Sequence, residues 1–143
     1  MHDADFPVLA LAAKLAAEYR RDVAKAERTP VAEYGVIHQA FAAPLPEAGS
    51  DPTAIIAELA KLAGPGIRAQ VGPRFFGWVI GNSHPTGVAA DWLTSAWGQN
   101  AANVTAAPAA SAVEAVAAGW LLDLLGLPEE ASVGFTTGAT VAN

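Results

Sequence analysis

Near its end the sequence reads Val133-Gly134-Phe135-Thr136-Thr137-Gly138-Ala139-Thr140-Val141-Ala142-Asn143, and the order of residue types there governs how the rest is understood. Residues 133–137 have the β-branched and aromatic bias of a short strand. Gly138-Ala139-Thr140 is a turn of small residues leading into a helix start. Strand, small turn and helix start together form a device for holding a phosphate. The first N–H groups of a helix have no intrahelical partner and point at an anion, small side chains let it come close, and a hydroxyl adds a donor. The stretch is neither a P-loop, because G-x-x-x-x-G-K-[ST] is absent, nor a dinucleotide fingerprint, because the G-x-G-x-x-G spacing fails. Many strand-to-helix turns share its residue types without binding anything, so alone it leaves the ligand open.

Working back from this stretch, the pattern is mostly helical. Val113, Val116, Trp120, Leu121 and Leu124 repeat at helical spacing from Pro108, and Gly126 with Pro128 supplies the stop. A helix over residues 85–97 turns Val88, Trp92 and Ala96 inward and closes at Gly98. Asp51-Pro52 opens another, with an Asp N-cap, proline at the first position, an apolar stripe of Ile55, Ile56, Leu59 and Leu62, and a Gly64-Pro65 stop. Residues 74–79 read as a short strand or extended segment ending in a Gly81-Asn82-Ser83 turn. Pro30, Pro44 and Pro46 mark residues 28–50 as an extended connector with one helical turn near Ile37. Val8, Leu11, Leu15, Tyr19 and Val23 make the first segment an amphipathic helix, with Asp5 and Pro7 at its start.

Composition narrows the function classes. With 8 Lys plus Arg against 14 Asp plus Glu the formal charge is −6, so no basic footprint for nucleic acid is present. Cysteine is absent and the 3 histidines, His2, His38 and His84, stand at no ligand spacing, which argues against a metal site. The N-terminus lacks the basic start and apolar run of a secretory signal, and the uncharged stretch between Asp91 and Glu114 is broken by Gln99, Asn100, Asn103 and Pro108. A cytoplasmic protein with no membrane segment is expected. His84, directly before Pro85, reads as structural, and Trp92, Trp97 and Trp120 read as packing residues.

Six blocks keep a recognisable order: Pro73-Arg74-Phe75-Phe76-Gly77, Ser83-His84-Pro85, Ala90-Asp91-Trp92-Leu93, Gln99-Asn100, Ala107-Pro108-Ala109 with Glu114, and Thr136-Thr137-Gly138-Ala139-Thr140-Val141-Ala142-Asn143. Together they resemble the group II pyridoxal-phosphate-dependent amino-acid decarboxylases of the aromatic-L-amino-acid decarboxylase-like branch. The last block is similar to that family's T-S-G-G-S-E-A-N. The resemblance covers most of the chain from about Arg28 onward.

What the resemblance implies is an α/β parent fold of the fold type I transferase kind, of which this chain is the front piece, mostly α-helical with short strands. Residues 1–83 would be a helical and extended segment at a dimer interface. Residues 84–143 would begin the large cofactor domain and end at its first strand and phosphate loop, the natural chain continuing beyond. Pyridoxal 5′-phosphate is the implied cofactor, its phosphate meeting Gly138, Ala139 and Thr140. The departures, Ala139 for a glycine and Thr140 for a serine, keep the N–H donors and the hydroxyl. Val141 replaces an acid and leaves that acid's role unexplained. Trp78, Asn82 and Asn100 fall where the family faces substrate.

The implied reaction is decarboxylation of an amino acid, with an aromatic one favoured, by a cytoplasmic homodimeric lyase. In that family a buried lysine forms a Schiff base with the cofactor. Lys14, Lys25 and Lys61 lie in polar helical contexts, so no catalytic residue is assigned within this chain and the piece alone is expected to be inactive. A non-catalytic helical assembly module, or a pyridoxal-phosphate enzyme of the same fold performing transamination or carbon–carbon cleavage, remains open.

Overall fold

Proline opens three of the helices, and one of these also carries a side-chain cap. The computed structural model describes residues 5–26, 29–100 and 103–143, so His2, Arg28 and Ala101 lie outside the described residues. The helices are α1 (Asp5–Asp22), α2 (Tyr34–Phe41), α3 (Pro52–Ala63) followed by a 3-10 turn (Gly64–Gly66), α4 (Pro85–Trp97), α5 (Pro108–Leu125) and α6 (Ala139–Ala142). They fall into two compact units, Met1–His84 and Pro85–Asn143.

In the first unit α1 packs on α3, and α2 meets α3 and the 3-10 turn. Leu11, Leu15 and Tyr19 are half-buried in α1, and Val23 just beyond it is buried. Asp51 caps α3 as its spacing predicts: the Ala54 N–H donates to Asp51 Oδ1 at 2.8 Å, and Pro52 occupies the first turn. Asp51→Ala should cost about 1 kcal/mol, read as a fall in thermal or urea midpoint with the m-value unchanged. The stripe expected on α3 is only half right, because Ile56 and Leu62 are half-buried while Ile55 and Leu59 stay 48% and 50% exposed. The helix is narrower in its contact than its composition suggests, since α1 and α2 cover only part of its circumference.

The connector also differs from expectation. It holds the full eight-residue helix α2, whose Tyr34, Ile37, His38 and Phe41 stand at i, i+3, i+4 and i+7, the spacing of one face. Ile37 is half-buried against the 3-10 turn, and a Cβ on Gly66 would lie 2.8 Å from its Cγ1. The Ala32 N–H donates to Pro65 O at 3.0 Å, which fixes the start of this connector on the end of α3.

Ala69 is 7% exposed and Gly72 is buried where the chain passes the end of α1. Arg74 Nη2 donates to Ala26 O at 3.0 Å, and Arg20 of α1 donates through its guanidinium to Ser83 Oγ at 3.0 Å and to Ser83 O. These two arginines tie the irregular run of residues 67–83 to α1 and to the turn that follows it.

No strand forms among the described residues, which corrects the two expected ones. A strand needs a neighbouring ladder, and β-branched or aromatic bias alone does not provide one. Residues 74–79 run through turns instead, with Trp78 at φ 60° and Val79 at φ 53°. Left-handed backbone costs about 1–2 kcal/mol for each residue that carries a Cβ, and for a β-branched valine it is an outlier. Residues 133–137 have no ladder partner either.

In the second unit α4 ends at Gly98 and α5 at Gly126, as expected. Gly126, at φ 63°, is a left-handed C-cap whose N–H donates to Asp123 O, while the Leu127 N–H reaches back to Leu122 O at 2.9 Å. Ala107 and Leu122 are its buried apolar residues, at 0% and 8% exposed. Trp92, Trp97 and Trp120 were expected to pack, but they are 44%, 64% and 69% exposed. The expected inward residues of α4 likewise gain little cover, with Val88 half-buried and Ala96 exposed. Helical periodicity identifies an apolar face without identifying what covers it.

The 18-residue α5 has a mean hydropathy of 1.3, which by length and composition alone would allow a bilayer crossing. Glu114 lies near its middle, where a carboxylate in hydrocarbon would cost about 2.5–3.5 kcal/mol. The same apolar surface suits a helix packed within protein.

Candidate functional site

The second unit holds the phosphate-turn residues. Thr136 Oγ1 donates to Gly138 O at 3.2 Å, and the Val141 and Ala142 N–H groups donate to the same carbonyl at 3.0 and 3.1 Å. The Gly138 carbonyl is therefore the hub that closes the turn from both sides. Gly138 is extended, and Ala139 and Thr140 take the first two helical positions. Their N–H groups precede the first residue able to bond within the helix, so they face outward as donors. A Cβ built at Gly138 meets nothing within 4 Å, so the approach to the turn is open.

This donor set fits a phosphate: two backbone N–H groups, the Thr140 hydroxyl and no side chain in the way. It is uncharged, because no lysine or arginine follows Arg74, and the charged residues after Pro85 are Asp91, Glu114, Asp123, Glu129 and Glu130. An anion at this turn is held by dipoles alone as far as Pro85–Asn143 is concerned.

Beside the turn, α4 and α5 flank a cleft of about 400 Å³ lined by Thr94, Trp97, Gln99, Val113, Glu114 and Phe135 among others. It brings the loop before Asn100 alongside the extended run entering the phosphate turn. Gln99 Nε2 donates to Trp97 O at 3.1 Å, folding that loop back on the end of α4. Glu114 had served only as a family marker, and neither periodicity nor spacing distinguishes it from a solvated helix residue. Its place in this cleft emerges only from the packing.

The other two substrate-facing candidates, Trp78 and Asn82, belong to the first unit. Trp78 is 66% exposed, its ring centroid 5.7 Å from that of Phe75 in an edge-on arrangement and 4.9 Å from Arg68 Cζ. Asn82 is exposed and its Oδ1 accepts the Ser83 N–H at 2.7 Å, so this side chain shapes the turn before α4. The sequence reading missed Arg68 altogether, since a lone arginine ten residues from an aromatic carries no signal of stacking.

A turn that presents N–H donors after an extended run is compatible with an anion such as a phosphate without identifying one, and comparison with known proteins narrows the reading. The pyridoxal-dependent decarboxylase conserved domain matches residues 36–143, and the chain belongs to that family. Pyridoxal 5′-phosphate is the cofactor this membership implies, and fold type I is the family's fold. The aromatic-L-amino-acid decarboxylase of Bacillus atrophaeus is 31% identical over 99 residues, covering 69% of this chain. The chain spans 21% of that relative's length. No solved structure matches the chain.

Proposed function

We propose that this chain contributes the phosphate turn and part of the substrate wall of a carboxy-lyase that decarboxylates an amino acid, an aromatic one being favoured. The observation that carries the proposal is the family match over residues 36–143 ending on a turn whose outward N–H groups suit a phosphate. When bound, pyridoxal phosphate supplies an electron sink for the pair released as the carboxylate leaves.

The residues of this chain bind and orient. Ala139 and Thr140 donate N–H groups to the phosphate, the Thr140 hydroxyl adds a third donor, and Gly138 keeps side chains out of the way. Trp78 offers an apolar wall to the substrate side chain, and the Asn82 and Asn100 amides offer hydrogen bonds to its polar groups. Lys14, Lys25 and Lys61 are all exposed, a poor setting for the lysine that anchors the cofactor, and that residue is assigned outside this chain. A homodimer is part of the same proposal, supported by the apolar faces of α4 and α5 left exposed, and a cytoplasmic location is proposed with it.

The deciding experiment supplies the intact protein, loaded with pyridoxal phosphate, with amino acids carrying labelled carbon in the carboxyl group. Release of the label as carbon dioxide is the expected result. Product that retains the label would rule out decarboxylation and point to another reaction of the same cofactor.

A further inference from the structure

The Trp78-Val79 turn is strained, and little backbone bonding holds it there. Both residues are left-handed, and the nearest backbone bond, from the Ile80 N–H to Gly77 O, is long at 3.4 Å. Neighbouring side chains give little cover, Phe76 being 92% exposed and Val79 itself fully exposed. Strain of this kind persists only where surrounding contacts over-determine it. Such contacts converge on one ring, the Trp78 indole. Phe75 folds back over Gly77, where a Cβ would meet its Cζ at 3.2 Å, and touches the Trp78 indole edge-on. Arg68 lies over the indole at 4.9 Å. Arg68 is itself a firm post: it is half-buried, the Gln70 N–H donates to its carbonyl at 2.7 Å, and its neighbour Ala69 is buried.

We infer that Arg68 is a positioning residue: its guanidinium, lying over the indole, holds Trp78 in place and with it the left-handed Trp78-Val79 turn. Without the stack, relaxation of Val79 to extended backbone swings the indole away from its place. The planar guanidinium suits this task better than an ammonium, because it lies flat on an aromatic face. The consequence for catalysis rests on the reading of Trp78 as substrate-facing; the conformational role does not.

The test uses the intact holoenzyme labelled with 5-fluorotryptophan. Its 4 tryptophans give separate fluorine resonances, and Trp78→Phe identifies the one from Trp78. Arg68→Gln should move and narrow that resonance alone, Arg68→Lys should leave it near its original position, and KM should rise about two- to fivefold in Arg68→Gln with kcat unchanged within about twofold. Val79→Gly, which removes the steric cost of left-handed backbone, should keep the resonance in place and shrink the effect of Arg68→Gln when the two are combined. An unmoved Trp78 resonance in Arg68→Gln overturns the inference whatever KM does. So does a Val79→Gly resonance displaced from the wild-type position, because a glycine that removes the left-handed cost should leave the turn where it is; this second variant decides even if Arg68→Gln fails to fold. A resonance that moves while KM does not would leave the turn's control by Arg68 standing and sink the substrate-facing role of Trp78.

Discussion

Ala139→Pro should weaken pyridoxal phosphate binding by about 10- to 100-fold while leaving the fold intact. Proline is well tolerated at the first position of a helix, where its N–H has no intrahelical partner to lose. Ala139 occupies that position in α6, and Gly138 before it is already extended, the conformation a residue preceding proline prefers. The substitution therefore deletes one N–H donor and little else. A hydrogen bond to a charged group contributes about 1.5–3 kcal/mol, which sets the expected range. Compensation is not at hand in this unit, since its charged residues are all acidic. Cofactor titration followed by absorbance, with far-ultraviolet circular dichroism as the control for folding, measures the effect. An affinity unchanged within twofold would remove Ala139 from the phosphate site.

The largest loss of stability is expected at Gly72. Its position is buried, and a Cβ there would lie 3.1 Å from Ala69 O and 3.2 Å from Val23 O. Both are backbone atoms, so relief requires moving the end of α1 or the segment that passes it. No side chain can rotate out of the way. Gly72→Val, with two further methyl groups, should reach the upper range for overpacking, about 3 kcal/mol, and lower the Tm by roughly 10 °C or more. Gly49→Ala is the control, because nothing lies within 4 Å of a Cβ there, and it should change stability by less than about 0.5 kcal/mol. Equal effects of the two substitutions would mean that the tight passage at the end of α1 does not exist in solution.

These two positions differ in how visible they are from the sequence. Gly138-Ala139-Thr140 lies within a contiguous run of residues whose chemistry is local: a turn needs small residues, a helix start leaves N–H groups unpaired, and both are written in neighbouring positions. Gly72 is one glycine among 13. Its importance comes from Val23 and Ala69, and no local pattern joins residue 23 to residue 72.

The same division runs through the helices. Asp51-Pro52, Pro85, Pro108, Gly98 and Gly126 marked boundaries correctly because capping and backbone conformation act within a few residues. The missed helix α2 was legible in the spacing of Tyr34, Ile37 and Phe41, but nearby prolines outweighed it. The expected strands failed for a different reason, since a β-biased run becomes a strand only when another strand lies beside it. Exposure failed likewise: Trp97 and Trp120 have the composition of packing residues, and what would cover them is not among the described residues.

By itself, then, the sequence determined most of the helix boundaries, the family and the small-residue turn before α6, all of which depend on short-range geometry or on the order of motifs along the chain. Only the tertiary structure decided that Arg68 stacks on Trp78, that Arg20 reaches Ser83, and that residues 74–79 turn through left-handed backbone instead of forming a strand. Each of those depends on groups brought together through space, where the balance of strain and contact is set by neighbours distant along the chain.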